Sequence, residues 1–170
     1  LRPRQNLDAL WEGLGEGTLS SIGTDHCPFF FEGQKSLGQE DFRRIPGGLP
    51  GVQSRLELIY TYGVVPGKIT LGQWVASCCA NPARIFGLYP QKGALIPGAD
   101  ADLVLFDPRR KKTITHQSLA EHVDYTPYEG WELQGAVART IIGGEVIAAD
   151  GKLLNETRQG RYLKRVLSEE

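Results

Sequence analysis

The chain has 170 residues, 41% of them hydrophobic, and its 19 basic and 20 acidic side chains leave a formal net charge of −1. So balanced a charge argues against an electrostatic nucleic-acid binder, which would carry a basic excess. No apolar run approaches the about 18 residues that a membrane-spanning helix needs, so no membrane partner is expected. The opening residues Leu1, Arg2, Pro3, Arg4, Gln5 and Asn6 are too polar for a signal-peptide core. A chain that opens at Leu1 and contains no methionine is expected to be a piece of a longer product. Cys78 and Cys79 are adjacent and Cys27 stands alone. That spacing makes neither a disulfide framework nor a zinc knuckle, and reduced thiols in a cytoplasmic protein are the expectation.

In chain order, Leu7, Leu10, Trp11 and Leu14 fall at helical spacing after Asn6 as a candidate N-cap. Residues 18–23 read as a short strand, followed by the loop Thr24-Asp25-His26-Cys27-Pro28 and three phenylalanines, Phe29, Phe30 and Phe31. Residues 32–51 show little periodicity, and loops of that length are usually functional or disordered. A helix is predicted over 52–62, closed by Gly63. Thr70 and Gln73 have capping-box spacing and open a third helix, and Asn81-Pro82 starts another that Gly87 terminates. Beyond Pro90 the texture changes. Residues 94–96, 102–106 and 112–115 read as short strands, and 137–142, Gly143-Gly144 and 145–149 form a hairpin, with a further short strand at 152–154. The expected organisation is an α/β piece over 1–88, an all-β piece over 89–156 and a basic arm over 157–170.

Asp25 and His26 follow a predicted strand, the place where catalytic and metal-binding side chains collect in α/β barrels and open sheets. A carboxylate there can bind a divalent metal or accept a proton. The alternative is structural: Asp25 caps the loop and His26 hydrogen-bonds a backbone carbonyl. A catalytic zinc normally takes three protein ligands, whereas the chain's other histidines, His116 and His122, read as surface or hydrogen-bonded residues. No complete metal site can be built from this sequence. Gly47-Gly48-Leu49-Pro50-Gly51 lacks the Lys-Ser/Thr of a phosphate-binding loop. It is either a flexible loop or one whose backbone approaches a small ligand.

Gly23-Thr24-Asp25-His26-Cys27-Pro28-Phe29 and Ile45-Pro46-Gly47-Gly48-Leu49-Pro50-Gly51 resemble the segment around the last barrel strand of the dihydropyrimidinases and hydantoinases. Asn81-Pro82-Ala83-Arg84, Gly98-Ala99-Asp100-Ala101-Asp102-Leu103-Val104 and Asp124-Tyr125-Thr126-Pro127-Tyr128-Glu129-Gly130-Trp131 extend the resemblance over nearly the whole chain. It implies a C-terminal portion of a TIM-type metallohydrolase barrel followed by part of a β-sandwich. The implied activity is opening of dihydropyrimidine or hydantoin rings at a C–N bond by metal-hydroxide attack. The implied cofactor is two zinc ions bridged by a carboxylated lysine, most of whose ligands would lie upstream. Asp25 would be both metal ligand and general base, and the backbone of Gly47 would contact the substrate, although the family commonly has Asn there. The implied partners are a small cyclic amide, the remainder of the same polypeptide and, through the basic arm, a homotetramer; the 170-residue piece alone would be inactive. Two rival readings are a non-catalytic dihydropyrimidinase-like assembly protein and an allantoinase.

Overall fold

The computed structural model describes residues 3–155 and 160–165. Helix α1 (Leu7–Glu16) carries the expected stripe of Leu7, Leu10, Trp11 and Leu14, and Gly17 ends it in the left-handed region. Asn6 does not cap it. A 3-10 turn at Arg4–Asn6 already runs into the helix, so Asn6 has helical dihedrals (φ −83°, ψ −9°) and its side chain makes no cap hydrogen bond. Helix α2 (Arg55–Ile59) continues without a break into a π-helical turn, Tyr60–Val64. Gly63 therefore lies within the turn instead of closing the helix, and it is packed by Trp11: a Cβ there would stand 2.5 Å from the indole ring.

Helix α3 (Leu71–Val75), a π-helical turn (Ala76–Ala80) and α4 (Asn81–Ile85) form one continuous helix. Its start is the capping box legible in the sequence. The Thr70 hydroxyl accepts the Gln73 amide at 3.2 Å, and the Gln73 side chain accepts the Thr70 amide at 2.7 Å, satisfying donors that have no partner within the helix. Asn81, expected to cap a separate helix, sits within this one and donates its side-chain amide to the Ser20 carbonyl at 2.9 Å.

The β-rich half is an antiparallel meander of β1 (Leu103–Thr113), β2 (Glu132–Ile142), β3 (Glu145–Ala149) and β4 (Lys152–Leu153), paired in that order. The strands expected at 102–106 and 112–115 are one strand, with an irregular pairing between Asp107 and Lys111 where Pro108 has no amide to donate. Gly143 and Gly144 join β2 to β3 with φ of 57° and 84°, the two positive values that a type I′ hairpin turn requires. Residues 94–96 form no strand; Leu95 and Ile96 are exposed beside Pro97 and pair with no strand among the described residues.

Residues 18–23 also join no sheet among the described residues. A parallel strand needs neighbours in the ladder, and here one acceptor and one donor from the helices take their place. The Ile22 amide donates to the Ser77 carbonyl at 3.3 Å, and the Arg55 guanidinium donates to the Ile22 carbonyl at 2.6 Å. The α/β character is thus present, as helices packed on a small antiparallel sheet.

Helices and sheet meet through Leu58, Ile114 and Leu133, which are buried together with Leu119 and Tyr128 packed against them. The rings of Tyr60, Trp74 and Phe106 form a second contact, with centroids 4.7–5.3 Å apart. Polar groups fix the register between the layers. Buried Glu57 accepts the Val137 amide at 3.1 Å, and Thr61 exchanges hydrogen bonds with the Gln134 backbone at 3.0 and 3.1 Å. Lys112 stands against the other Glu57 carboxylate oxygen, which offsets the cost of burying that charge.

No helix among the described residues is long and apolar enough to cross a membrane. The arm expected over 157–170 lies partly outside the described residues, as do Leu1, Arg2 and the acidic end Ser168-Glu169-Glu170. Within it, Arg161 pairs with Asp100 at 3.1 Å and Tyr162 is 89% exposed.

Candidate active site

The loop after residue 23 turns at Asp25, which adopts φ 48°. Among residues other than glycine, short polar side chains tolerate this left-handed region best, and such conformations cluster at functional sites. The Asp25 carboxylate is exposed and makes no hydrogen bond or ion pair with any described residue.

His26 anchors the loop. Its Nδ1 accepts the backbone amides of Gly51 at 3.1 Å and Val52 at 3.3 Å, so Nδ1 carries no proton and the neutral ring holds its proton on Nε2. The structural role weighed for His26, donation to a carbonyl, is reversed: the ring accepts from amides. Glu121 Oε1 lies 3.9 Å from the same nitrogen, too far for a hydrogen bond. It accepts the Gln53 amide at 3.1 Å instead. The backbone adds to the staple, since His26 pairs in parallel with Leu49 and the Cys27 amide donates to the Leu49 carbonyl at 3.1 Å.

This pairing draws the Asp25 loop alongside the 47–51 loop. Gly48 lies flat against Cys27; at its φ of 127°, a Cβ would stand 2.4 Å from the Cys27 carbonyl oxygen. Gly47, the predicted substrate contact, is exposed, and an added Cβ would meet nothing within 4 Å. A side chain at this position would therefore leave the backbone into open space.

Two carboxylates that the sequence did not single out hold these loops from the other side. Asp124 accepts the amides of Phe31 at 2.6 Å and Glu32 at 2.9 Å. Those backbone hydrogen bonds, Glu32 first, hold its carboxyl below the ordinary value of 3.8. Tyr125 stacks edge-on to Phe31 at 5.8 Å. Glu121, its side chain 3% exposed, holds Gln53, whose own side chain accepts the Ala120 amide at 2.7 Å. Only the position of Asp124 in a stretch that carries the family resemblance could have drawn attention to it.

Among the described residues, no three His, Cys, Asp or Glu side chains converge as a metal-binding group. His116 is hydrogen-bonded to Glu129, its Nδ1 3.2 Å from the carboxylate, and His122 is exposed. The donor chemistry fits one ligand and not a set. Asp25 presents a single unpaired hard oxygen donor of the type a divalent cation accepts.

The profile of the amidohydrolase family matches residues 1–147. The chain belongs to the amidohydrolase family. Within that family it is 43% identical over 165 residues to a D-phenylhydantoinase of Escherichia coli O1:K1 / APEC, covering 97% of this chain and 36% of the relative. Among solved structures, the D-hydantoinase from Bacillus sp. AR9 superposes with a TM-score of 0.95 at 40% identity, over 100% of this chain and 37% of that one. The dihydropyrimidinase from Brevibacillus agri NCHU1002 gives 0.94 at 41% identity, over 97% and 36%. The amidohydrolase chain thus spans little more than a third of the length of the relatives it matches, and the dihydropyrimidinase–hydantoinase resemblance read from its motifs agrees with them.

Two outcomes follow from this geometry. Gly48→Ala forces a side chain into the Cys27 carbonyl at an unfavourable φ and is expected to destabilise by roughly 1–3 kcal/mol, whereas Gly47→Ala is expected to leave stability unchanged. Urea unfolding of the two variants measures the contrast, and equal stabilities would contradict it. The second concerns acid. Because folding lowers the Asp124 pKa, its contribution to stability is complete above the unfolded value and is lost as pH falls through the folded one. Acid unfolding of Asp124→Asn should therefore show a weaker loss of stability below pH 3.8 than the parent sequence shows.

Proposed function

We propose that the protein carrying this chain is a metal-dependent hydrolase that opens cyclic amide rings of the dihydropyrimidine or hydantoin type, with Asp25 as metal ligand and general base. The observation that carries this reading is the unpaired Asp25 carboxylate, presented on a loop that His26 staples beside the Gly47-Gly48 backbone. The names of the relatives supply the substrate class.

Zinc, when bound, would polarise the ring carbonyl and lower the pKa of water, the chemistry that a stable amide demands. Asp25 would help to hold the metal and would take one proton from the attacking water. The water oxygen bonds to the carbonyl carbon, the ring C–N bond breaks, and Asp25 passes the proton to the departing nitrogen. The exposed Gly47 backbone would hold the amide of the ring from the neighbouring loop.

In this reading, residues 1–88 complete a (β/α)8 barrel, with 18–23 as its last strand, paired there to segments beyond this chain. Residues 89–156 contribute to a β-sandwich, and 157–170 form an arm that contacts another subunit of a cytoplasmic tetramer. The exposed Tyr162 supports the arm's role, since a large ring left in water is covered by such a contact.

The test is hydrolysis by the whole zinc-loaded protein, assayed on dihydrouracil and on 5-substituted hydantoins. The wild type should open at least one ring. Asp25→Asn, folded and with the same secondary structure, should lose about 10²–10⁴-fold in rate, the range for removal of a general base. A whole protein inactive on every cyclic amide, as a non-catalytic relative would be, or an Asp25→Asn variant at full rate, overturns the reading. The 170-residue chain alone should be inactive.

A further inference from the structure

The loops that carry Asp25 and Gly47 are exposed, and apolar packing does little to set the distance between them. Phe30, Phe31, Leu49 and Val52 all keep large exposed surfaces. Beyond the staple made by His26 and Leu49, both loops are gripped by one irregular crossing, residues 119–131, between β1 and β2. At Asp124 the crossing accepts two consecutive amides of the first loop, at 2.6 and 2.9 Å. At Glu121 and Ala120 it exchanges two hydrogen bonds with Gln53, at 3.1 and 2.7 Å, just past the second loop. Tyr128, on the same crossing, lies against Gly51, 3.5 Å from where a Cβ would be.

We propose that Asp124 and Glu121 are positioning residues that fix the spacing between the Asp25 loop and the 47–51 loop, a role that rests on the reading of Asp25 as the general base. Neither touches a reacting atom. Hydrogen bonds from backbone amides to an ionised carboxylate are shorter and roughly twice as strong as neutral ones. Two of them to adjacent residues define direction as well as distance. The Glu121 side chain is buried and holds the other loop close to His26, so the two carboxylates control opposite sides of the staple. A misplacement of about 1 Å at a reacting group can cost on the order of 10²-fold in rate, which is the scale on which this control acts.

The experiment uses the whole zinc-loaded protein and its best cyclic amide. Asp124→Ala removes both acceptors and Asp124→Asn removes one. Both should lower kcat, by about 10²-fold for Ala and less for Asn, while KM and bound zinc stay unchanged, the pattern of an interaction that acts in the transition state alone. Glu121→Ala frees the substrate loop and should raise KM, and Glu121→Gln, which keeps an acceptor for the Gln53 amide, should restore it. Hydrogen exchange of the peptide containing Phe31 and Glu32 should accelerate in both Asp124 variants. Unchanged kcat with accelerated exchange overturns the positioning role while leaving the hydrolase reading intact. Parallel losses of kcat, bound zinc and thermal stability in every variant, including Asp124→Asn and Glu121→Gln, also overturn it, because they mark a purely structural role. An inactive wild type overturns the hydrolase reading and this role together, and is distinguished by appearing before any substitution is made.

Discussion

The arrangement of the candidate site depends on the lone pair of His26 Nδ1. Gly51 and Val52 stand just before α2, where backbone amides have no helical acceptor of their own, and the imidazole accepts both. Each such bond is worth roughly 0.5–1.5 kcal/mol net. Together with the parallel pairing of His26 and Leu49, the staple closes a loop that otherwise has little packing of its own. It requires a neutral ring with Nε2 protonated. Glu121 is consistent with that state, since its near oxygen is already engaged by the Gln53 amide.

The staple works only because α2 is itself fixed. Glu57, Thr61 and Tyr62 hydrogen-bond the backbone of β2 at Val137, Gln134 and Glu132, so the helix is registered to the sheet by polar contacts as well as by Leu58. The crossing 119–131 leaves the same layer, since Ile114 and Leu133 bury Leu119 and Tyr128. The sheet therefore positions both the helix that follows the 47–51 loop and the crossing that holds the Asp25 loop. Chain continuity places Asp25 next to the staple, and the rest of the fold determines where the staple stands.

What could be read in advance divides along local and distant interactions. The capping box at Thr70, the Gly143-Gly144 hairpin and the α1 stripe are local signals, and they appear where the sequence puts them. Asn6, Gly63 and Asn81 have the residue types of caps and stops but serve as neither, because residue type alone does not fix where a helix begins or ends. A preceding 3-10 turn and two π-helical turns carry the backbone through those positions instead. The segments 18–23 and 94–96 have strand-like composition but lack partners within the described residues, and a strand is defined by its partner. At the site, the Asp25 and Gly47 loops were legible as motifs. Their contact was not, because it rests on hydrogen bonds that His26 accepts from amides 25 and 26 positions away, and Asp124 from amides 92 and 93 positions away.

The most direct test of this account is the protonation of His26, read by neutron diffraction from deuterated crystals of the whole protein. The account predicts a deuteron on Nε2, none on Nδ1, and the amide deuterons of Gly51 and Val52 both directed at Nδ1. A deuteron on Nδ1 directed at Glu121, with those two amides turned elsewhere, would contradict it.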